Sequence, residues 1–197
     1  MLSDFFLTAV GSALAGFLIL AELTGIPLAL GAATARELSH SYALRLGLAA
    51  GVVLVLSMPL LVYLRSVFLV PAGFDFLYLP FAFLLIPLIT FLLGLGVTAK
   101  RPDLVRSAQA HVPVVAGSSA LLAAPLLVHQ DVSGPIPVLA QALGLASGLV
   151  LAMTLYSAIR HRIQEDQLPP AFRGLPISLL VLGMMALAVS GLAGLGA

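Results

Sequence analysis

The chain has 197 residues, of which 61% are hydrophobic and 9% charged, with a net charge of +1 and no cysteine. A soluble domain is about one quarter charged, so this balance reads as an integral membrane protein, and near-neutrality excludes a basic nucleic-acid surface. The missing thiols exclude disulfides, thiolate metal sites and cysteine-ligated iron–sulfur clusters carried by this chain alone.

A helix needs ~20 apolar residues to cross the hydrocarbon core. Six segments qualify: 4–31, 40–64, 74–98, 103–128, 135–159 and 175–196. The first opens MLSDFFLTAV, without a basic n-region or cleavage site, and so reads as a retained span. It contains AELTGIPLALG, residues 21–31, which sets Glu22, Thr24, Gly25 and Pro27 inside apolar sequence. Proline removes a backbone donor and clashes with the preceding turn, so the spacing predicts a broken helix. Such a break is tolerated only where protein or a water-lined cavity covers it, and an acid there belongs in the bundle interior.

The second span carries LGLAAG, Leu46 to Gly51, and the third is almost featureless. The fourth carries His111, Pro113, Gly117, Ser118 and Ser119, a second polar-then-proline interruption. The fifth carries LGLASG, Leu143 to Gly148, 97 residues after its counterpart. Gly47 with Gly51, and Gly144 with Gly148, are small-xxx-small pairs that let helices approach closely in lipid. Breaks in the opening helix of each half, and matching glycine pairs in the second, predict an internal repeat. Each half has three spans, so the halves lie in opposite orientations. The fold expected is all-α, one six-span membrane domain over 1–197, with halves of about 1–98 and 99–197.

Eight of the nine Lys and Arg residues fall in or beside loops 1–2, 3–4 and 5–6, and only Arg65 falls in loop 2–3. The positive-inside rule then puts both termini on the non-cytoplasmic side. Tyr42, Tyr63, Tyr78 and Tyr156 fall near span ends, as interface anchors do. Arg160, His161 and Arg162 read as a solvated cytoplasmic face, where the arginines and Arg173 are placed to meet anionic headgroups or a partner subunit. Nothing resembles a nucleotide loop, a Ser/His/Asp set or a metal-ligand cluster, and His129 with Asp131 is too sparse to form a site.

In the last third, Ala158-Ile159-Arg160, Pro170-Ala171-Phe172-Arg173-Gly174, Ile177, Gly183 to Ala188 and Gly191 to Leu195 resemble the end of RnfA (RsxA)-type members of the Rnf/Nqr family. The NqrD and NqrE subunits belong to the same family. Weaker similarity covers Val10-Gly11, Gly25 with Pro27, and Arg106 with Pro113. The resemblance implies a six-helix subunit with inverted halves. It is expected to pair with an oppositely oriented paralogue in a redox-driven ion pump of the bacterial inner membrane. It also implies that the broken first and fourth helices each bring one cysteine to an iron centre shared by the pair. This chain departs there. Ile26 stands at the first cysteine position and Ser119, give or take one residue, at the second, while Gly16-Phe17 and Gly117-Ser118 replace polar pairs. Isoleucine cannot ligate, and a hydroxyl is a poor substitute for thiolate toward iron.

Two functions follow. The first is a non-catalytic membrane subunit of an Rnf/Nqr-type complex, binding no cofactor itself and acting as scaffold or ion path. The second is a stand-alone ion or solute transporter or channel, with Glu22 as coupling site and Ser118 and Ser119 assisting.

Overall fold

The computed structural model describes residues 2–21, 40–100, 112–127, 135–163 and 168–193. Among these residues there are helices and turns and no strand. In an apolar chain this is expected, because a helix satisfies its own backbone groups without water.

Among the described residues the longer α-helices are, in chain order, α1 Leu2–Ala21, α2 His40–Leu64, α3 Tyr78–Lys100, α4 Ser119–Leu127, α5 Pro135–Arg162 and α6 Leu175–Ala193. Each lies in or overlaps one of the six expected segments. Among the described residues, three stretches are long and apolar enough to cross a membrane: Ala43–Leu69, Tyr78–Gly96 and Ile136–Arg162. Phe5–Leu14, Val112–Ala124 and Leu175–Ala188 are shorter apolar helices among the described residues.

The second span runs past its expected end. After Leu64 the chain continues as a wider π-helical turn, Arg65–Leu69, in which Val70 N–H donates to the Arg65 carbonyl over 2.9 Å. Gly73, at φ +71°, then reverses the chain, and a short 3-10 turn, Asp75–Leu77, leads into α3. The Arg65 guanidinium sits 5.2 Å from the Tyr78 ring centroid, a cation–π contact that closes this hairpin.

The core lies along α5. Leu145, Leu149, Ala152, Met153 and Tyr156 are buried there, against Leu46, Ala50, Leu54 and Met58 of α2. Lipid is as apolar as leucine, so close packing rather than escape from water holds this seam together. The principal contacts pair α1 with α5 and α6, α4 with α2 and α3, α2 with α5, α2 with α3, α5 with α6, and α1 with α4. The first helix of each half thus packs mainly on the other half's later helices.

Hydroxyls in these helices mostly bond their own backbone. Ser57, Thr90, Ser147 and Thr154 donate to carbonyls three or four residues back, at 2.7–3.3 Å. This back-bonding spares a polar group from facing hydrocarbon alone.

Candidate functional site

The fourth-span interruption is visible in the backbone. Residues 112–116, the first described residues of this span, are helical and include Pro113. The helix stops at Gly117 and Ser118 and resumes at Ser119 as α4. Gly117 N–H donates to the Pro113 carbonyl at 3.0 Å, and Ser118 N–H to Val115 at 3.1 Å. The Ser118 carbonyl then accepts from Leu121 N–H at 3.2 Å, so α4 starts on a tight turn. A Cβ at Gly117 would lie 3.2 Å from the Pro113 carbonyl oxygen, which favours glycine here.

Gly117 and Pro113 are exposed, whereas Ser118 is fully buried. Among the described residues the Ser118 hydroxyl has no hydrogen-bond partner, unlike the hydroxyls that bond back to their own helices. The Gln141 side-chain oxygen on α5 is likewise buried without a partner. The Tyr156 hydroxyl and Arg160 Nη1 share this state, and buried polar atoms of this kind are few in native structures. Ser119 is half-buried beside Ser118. The other expected centre residues, Glu22, Thr24, Gly25, Pro27 and His111, lie outside the described residues.

The glycine pairs face different partners. A Cβ on Gly51 would meet the Ala146 Cβ at 3.4 Å, and one on Gly47 the Met153 Cβ at 3.3 Å, so this pair faces α5. Gly144 faces α1 instead. A Cβ there would collide with the Ala9 carbonyl oxygen, lie 2.6 Å from the Ser12 Cβ and 3.0 Å from the Ala13 nitrogen. Gly148 is buried on the same helix. A close approach also joins α3 to the fourth span, where Gly94 abuts Val112.

One polar cluster escaped the sequence reading. Arg160, expected on a solvated face, is 2% exposed. Its Nε donates to the Ser178 hydroxyl at 3.1 Å, and its Nη2 to the Gly174 carbonyl at 3.4 Å. Ser178 Oγ donates to the same carbonyl at 3.0 Å. Gly174, at φ +78°, supplies a backbone conformation that side-chain-bearing residues avoid. Tyr156, expected as an interface anchor, is instead 1% exposed, with its hydroxyl beside Ser178 and Arg160. Tyr156 and Arg160 are four residues apart, hence on one helix face, and that face turns inward toward α6. His161, Arg162 and Arg173 are exposed, as expected. Sequence spacing did signal the cluster faintly, since Arg160 and Gly174 both belong to the C-terminal motif.

The iron centre implied by the resemblance does not fit these residues. The chain holds no thiol, and at the described break the donors are the hydroxyls of Ser118 and Ser119. Among the described residues no three His, Cys, Asp or Glu side chains group as metal ligands.

A family model described as "Rnf-Nqr subunit, membrane protein" matches residues 5–196. Among curated proteins, the chain is similar to the A subunit of the ion-translocating oxidoreductase complex of Syntrophotalea carbinolica, at 29% identity over 98% of both chains. It is similar to the corresponding protein of Azoarcus sp. strain BH72 at 26% identity, again over 98% of both. A third relative is the A subunit of the Na(+)-translocating ferredoxin:NAD(+) oxidoreductase complex of Acetobacterium woodii. It is 27% identical over 78% of this chain and 80% of that one.

Proposed function

The chain belongs to the Rnf-Nqr family of membrane subunits, and we propose that it serves as an integral membrane subunit of an Rnf/Nqr-type ion-translocating electron-transport complex. It holds no iron centre of its own and acts as scaffold or as part of an ion path. The family match over residues 5–196, with relatives that are subunits of ion-translocating oxidoreductases, carries this reading.

The interruption at Gly117–Ser118 supports a partner-dependent role. Irregular backbone in a membrane protein must be covered by protein or line a wet cavity. Gly117 is exposed in this chain taken alone, so the reading assigns its cover to another membrane subunit, an oppositely oriented paralogue. In this reading the exposed Pro113 and Gly117 face the subunit boundary with the buried Ser118 just behind them, and Ser119, His111, Glu22, Thr24, Gly25 and Pro27 are the sequence candidates for the rest of the ion path. Glu22 is the one acid more than a turn from either end of an expected span and the natural candidate for a proton or cation site.

Two observations support six spans in inverted halves. Exchanging α1 with α4, α2 with α5 and α3 with α6 turns the set of principal helix contacts into itself. Both second-to-third hairpins also close with a left-handed glycine and an arginine: Gly73 with Arg65, and Gly174 with Arg160. The charge bias of the loops supports an orientation with both termini on the non-cytoplasmic side, and the family relationship supports a bacterial inner membrane.

The deciding experiment is purification of the tagged protein from native membranes in mild detergent, followed by mass spectrometry of what accompanies it. Recovery of a family paralogue with flavin- or NADH-binding subunits is the expected result. Recovery of the protein alone or as a homodimer refutes the subunit role. The stand-alone transporter, with Glu22 as coupling residue, would then take its place.

A further inference from the structure

We infer that the hairpin joining α2 to α3, Arg65 to Tyr78, lies immersed in the bilayer interface, with Phe68, Phe74 and Phe76 among the upper acyl chains of the surrounding lipid. Arg45 is exposed near the start of α2, and Arg65 stands ~30 Å further along it, the thickness of the hydrocarbon layer. The exposed Tyr63 and the Arg65–Tyr78 contact mark the far boundary, where aromatic rings and long basic side chains anchor. Ser66 to Leu77 therefore lies beyond the hydrocarbon. A turn bathed in water at that height would be polar. Here Asp75 is the sole charge between Arg65 and Tyr78, while Phe68, Phe74 and Phe76 are 62%, 52% and 74% exposed.

The backbone of this turn is closed upon itself. Val70 N–H donates to the Arg65 carbonyl at 2.9 Å, Ala72 to Phe68 at 3.3 Å, Gly73 to Val70 at 3.2 Å and Phe74 to Leu69 at 3.0 Å. Pro71 has no N–H, so no backbone donor from Val70 to Phe74 is left for solvent. The Ser66 hydroxyl likewise donates to the Tyr63 carbonyl at 2.9 Å. A medium poor in water demands such internal pairing, and an aqueous one does not. The exposed apolar surface is also continuous with the span: Leu56, Leu60, Tyr63 and Val67 follow three or four residues apart along α2 and its π-helical turn. The lower part of that stripe lies at hydrocarbon depth, so the hairpin extends a lipid-facing surface. The Phe74 and Phe76 rings pack edge to face, 6.0 Å between centroids, as one apolar tip. A protein partner docks through hydrogen bonds as well as apolar contacts, and Val70–Phe74 offers it no backbone donor.

The test uses the full chain, which contains no tryptophan. Phe68→Trp, Phe74→Trp and Phe76→Trp are each reconstituted into phosphatidylcholine vesicles whose acyl chains are brominated either near the glycerol or near the methyl end. Shallow bromines should quench each hairpin tryptophan at least about twofold more than deep ones, and aqueous iodide should quench it weakly. Leu88→Trp, ~15 Å beyond Tyr78 along α3, should show the reverse order of bromine quenching and so verifies insertion. In native membranes, p-benzoylphenylalanine at Phe76 should give no adduct with another protein on irradiation. Strong iodide quenching of the hairpin tryptophans without bromine quenching, with Leu88→Trp behaving as stated, overturns the immersion. Stronger quenching by deep bromines than by shallow ones overturns the interfacial depth. A protein adduct from Phe76 in native membranes overturns lipid as the occupant in favour of a partner subunit.

Discussion

The carbonyl of Gly174 accepts from Arg160 Nη2 at 3.4 Å, and the Ser178 hydroxyl that accepts from Arg160 Nε donates to that same carbonyl at 3.0 Å. One guanidinium therefore joins α5 to the first turn of α6. A hydrogen bond to a charged donor contributes roughly 1.5–3 kcal/mol in a soluble core, and interhelical bonds in membranes average nearer ~0.6. Replacing Arg160 by Gln should cost about 1–3 kcal/mol and lower the thermal midpoint measured by detergent size-exclusion after heating. Arg160→Lys should not restore it, because a single ammonium lacks the planar fork that reaches Ser178 and Gly174 in two directions. A lysine variant as stable as wild type would refute the clasp.

Gly174→Ala isolates the backbone part of that joint. A Cβ there meets nothing within 4 Å, so no clash contributes. The cost is that of the φ of +78°, about 1–2 kcal/mol, and Gly73→Ala at φ +71° should behave alike. Asn at either site should recover part of the loss, since it tolerates the left-handed region. Equal midpoints for wild type and both alanine variants would contradict the turn geometry.

Gly144 and Gly11 make a matched pair. A Cβ on Gly144 strikes the α1 backbone at Ala9 and Ala13, whereas one on Gly11 meets nothing within 4 Å. Backbone atoms cannot swing aside as a side chain does, so Gly144→Ala should force α1 away from α5 and destabilise the fold by more than 1 kcal/mol, roughly. Gly11→Ala should be neutral or slightly favourable through helix propensity. The comparison is read from thermal midpoints and protease resistance in parallel.

These residues also show where sequence reasoning reached and where it stopped. Three spans, Ala43–Leu69, Tyr78–Gly96 and Ile136–Arg162, followed from apolar length alone, because the bilayer fixes how long an apolar stretch must be. The glycine pairs were legible as close-approach sites, but not their partners. Gly47 and Gly51 turn toward α5 while Gly144 turns toward α1, a choice set by packing that no spacing encodes. Arg160 was misread for the same reason. A charge at a span end usually points to water, and only the three-dimensional return of Gly174 and Ser178 gives it an interior partner set. The break at Gly117–Ser118 was foreshadowed by Pro113 and the Gly-Ser-Ser run, whereas the burial of Ser118 beside an exposed Gly117 was not.

The cysteine-free chain is suited to disulfide mapping, since any engineered pair is the only pair. Gly51 and Ala146 offer a Cβ–Cβ separation of 3.4 Å across the α2–α5 seam, at the short edge of disulfide geometry. Gly94 and Val112 offer 3.7 Å between α3 and the turn before the break, within the usual range. Both double-cysteine variants should cross-link rapidly with a mild oxidant in membranes, detected as thiols lost to maleimide labelling. Failure of the second pair with success of the first would mean that the fourth span docks elsewhere on α3.

Iron content tests the chemistry most directly. Thiolates are the ligands that hold iron–sulfur centres, and serine hydroxyls at a break do not replace them. The cleanly purified chain, separated from co-purifying subunits, should therefore show far less than one iron per chain by elemental analysis, and no visible absorption band of a cluster. Ser118→Ala and Ser119→Ala should leave both readings unchanged. Stoichiometric iron lost in either variant would show that the hydroxyl break binds metal after all. The cluster-free reading would then fail while membership of the family stood.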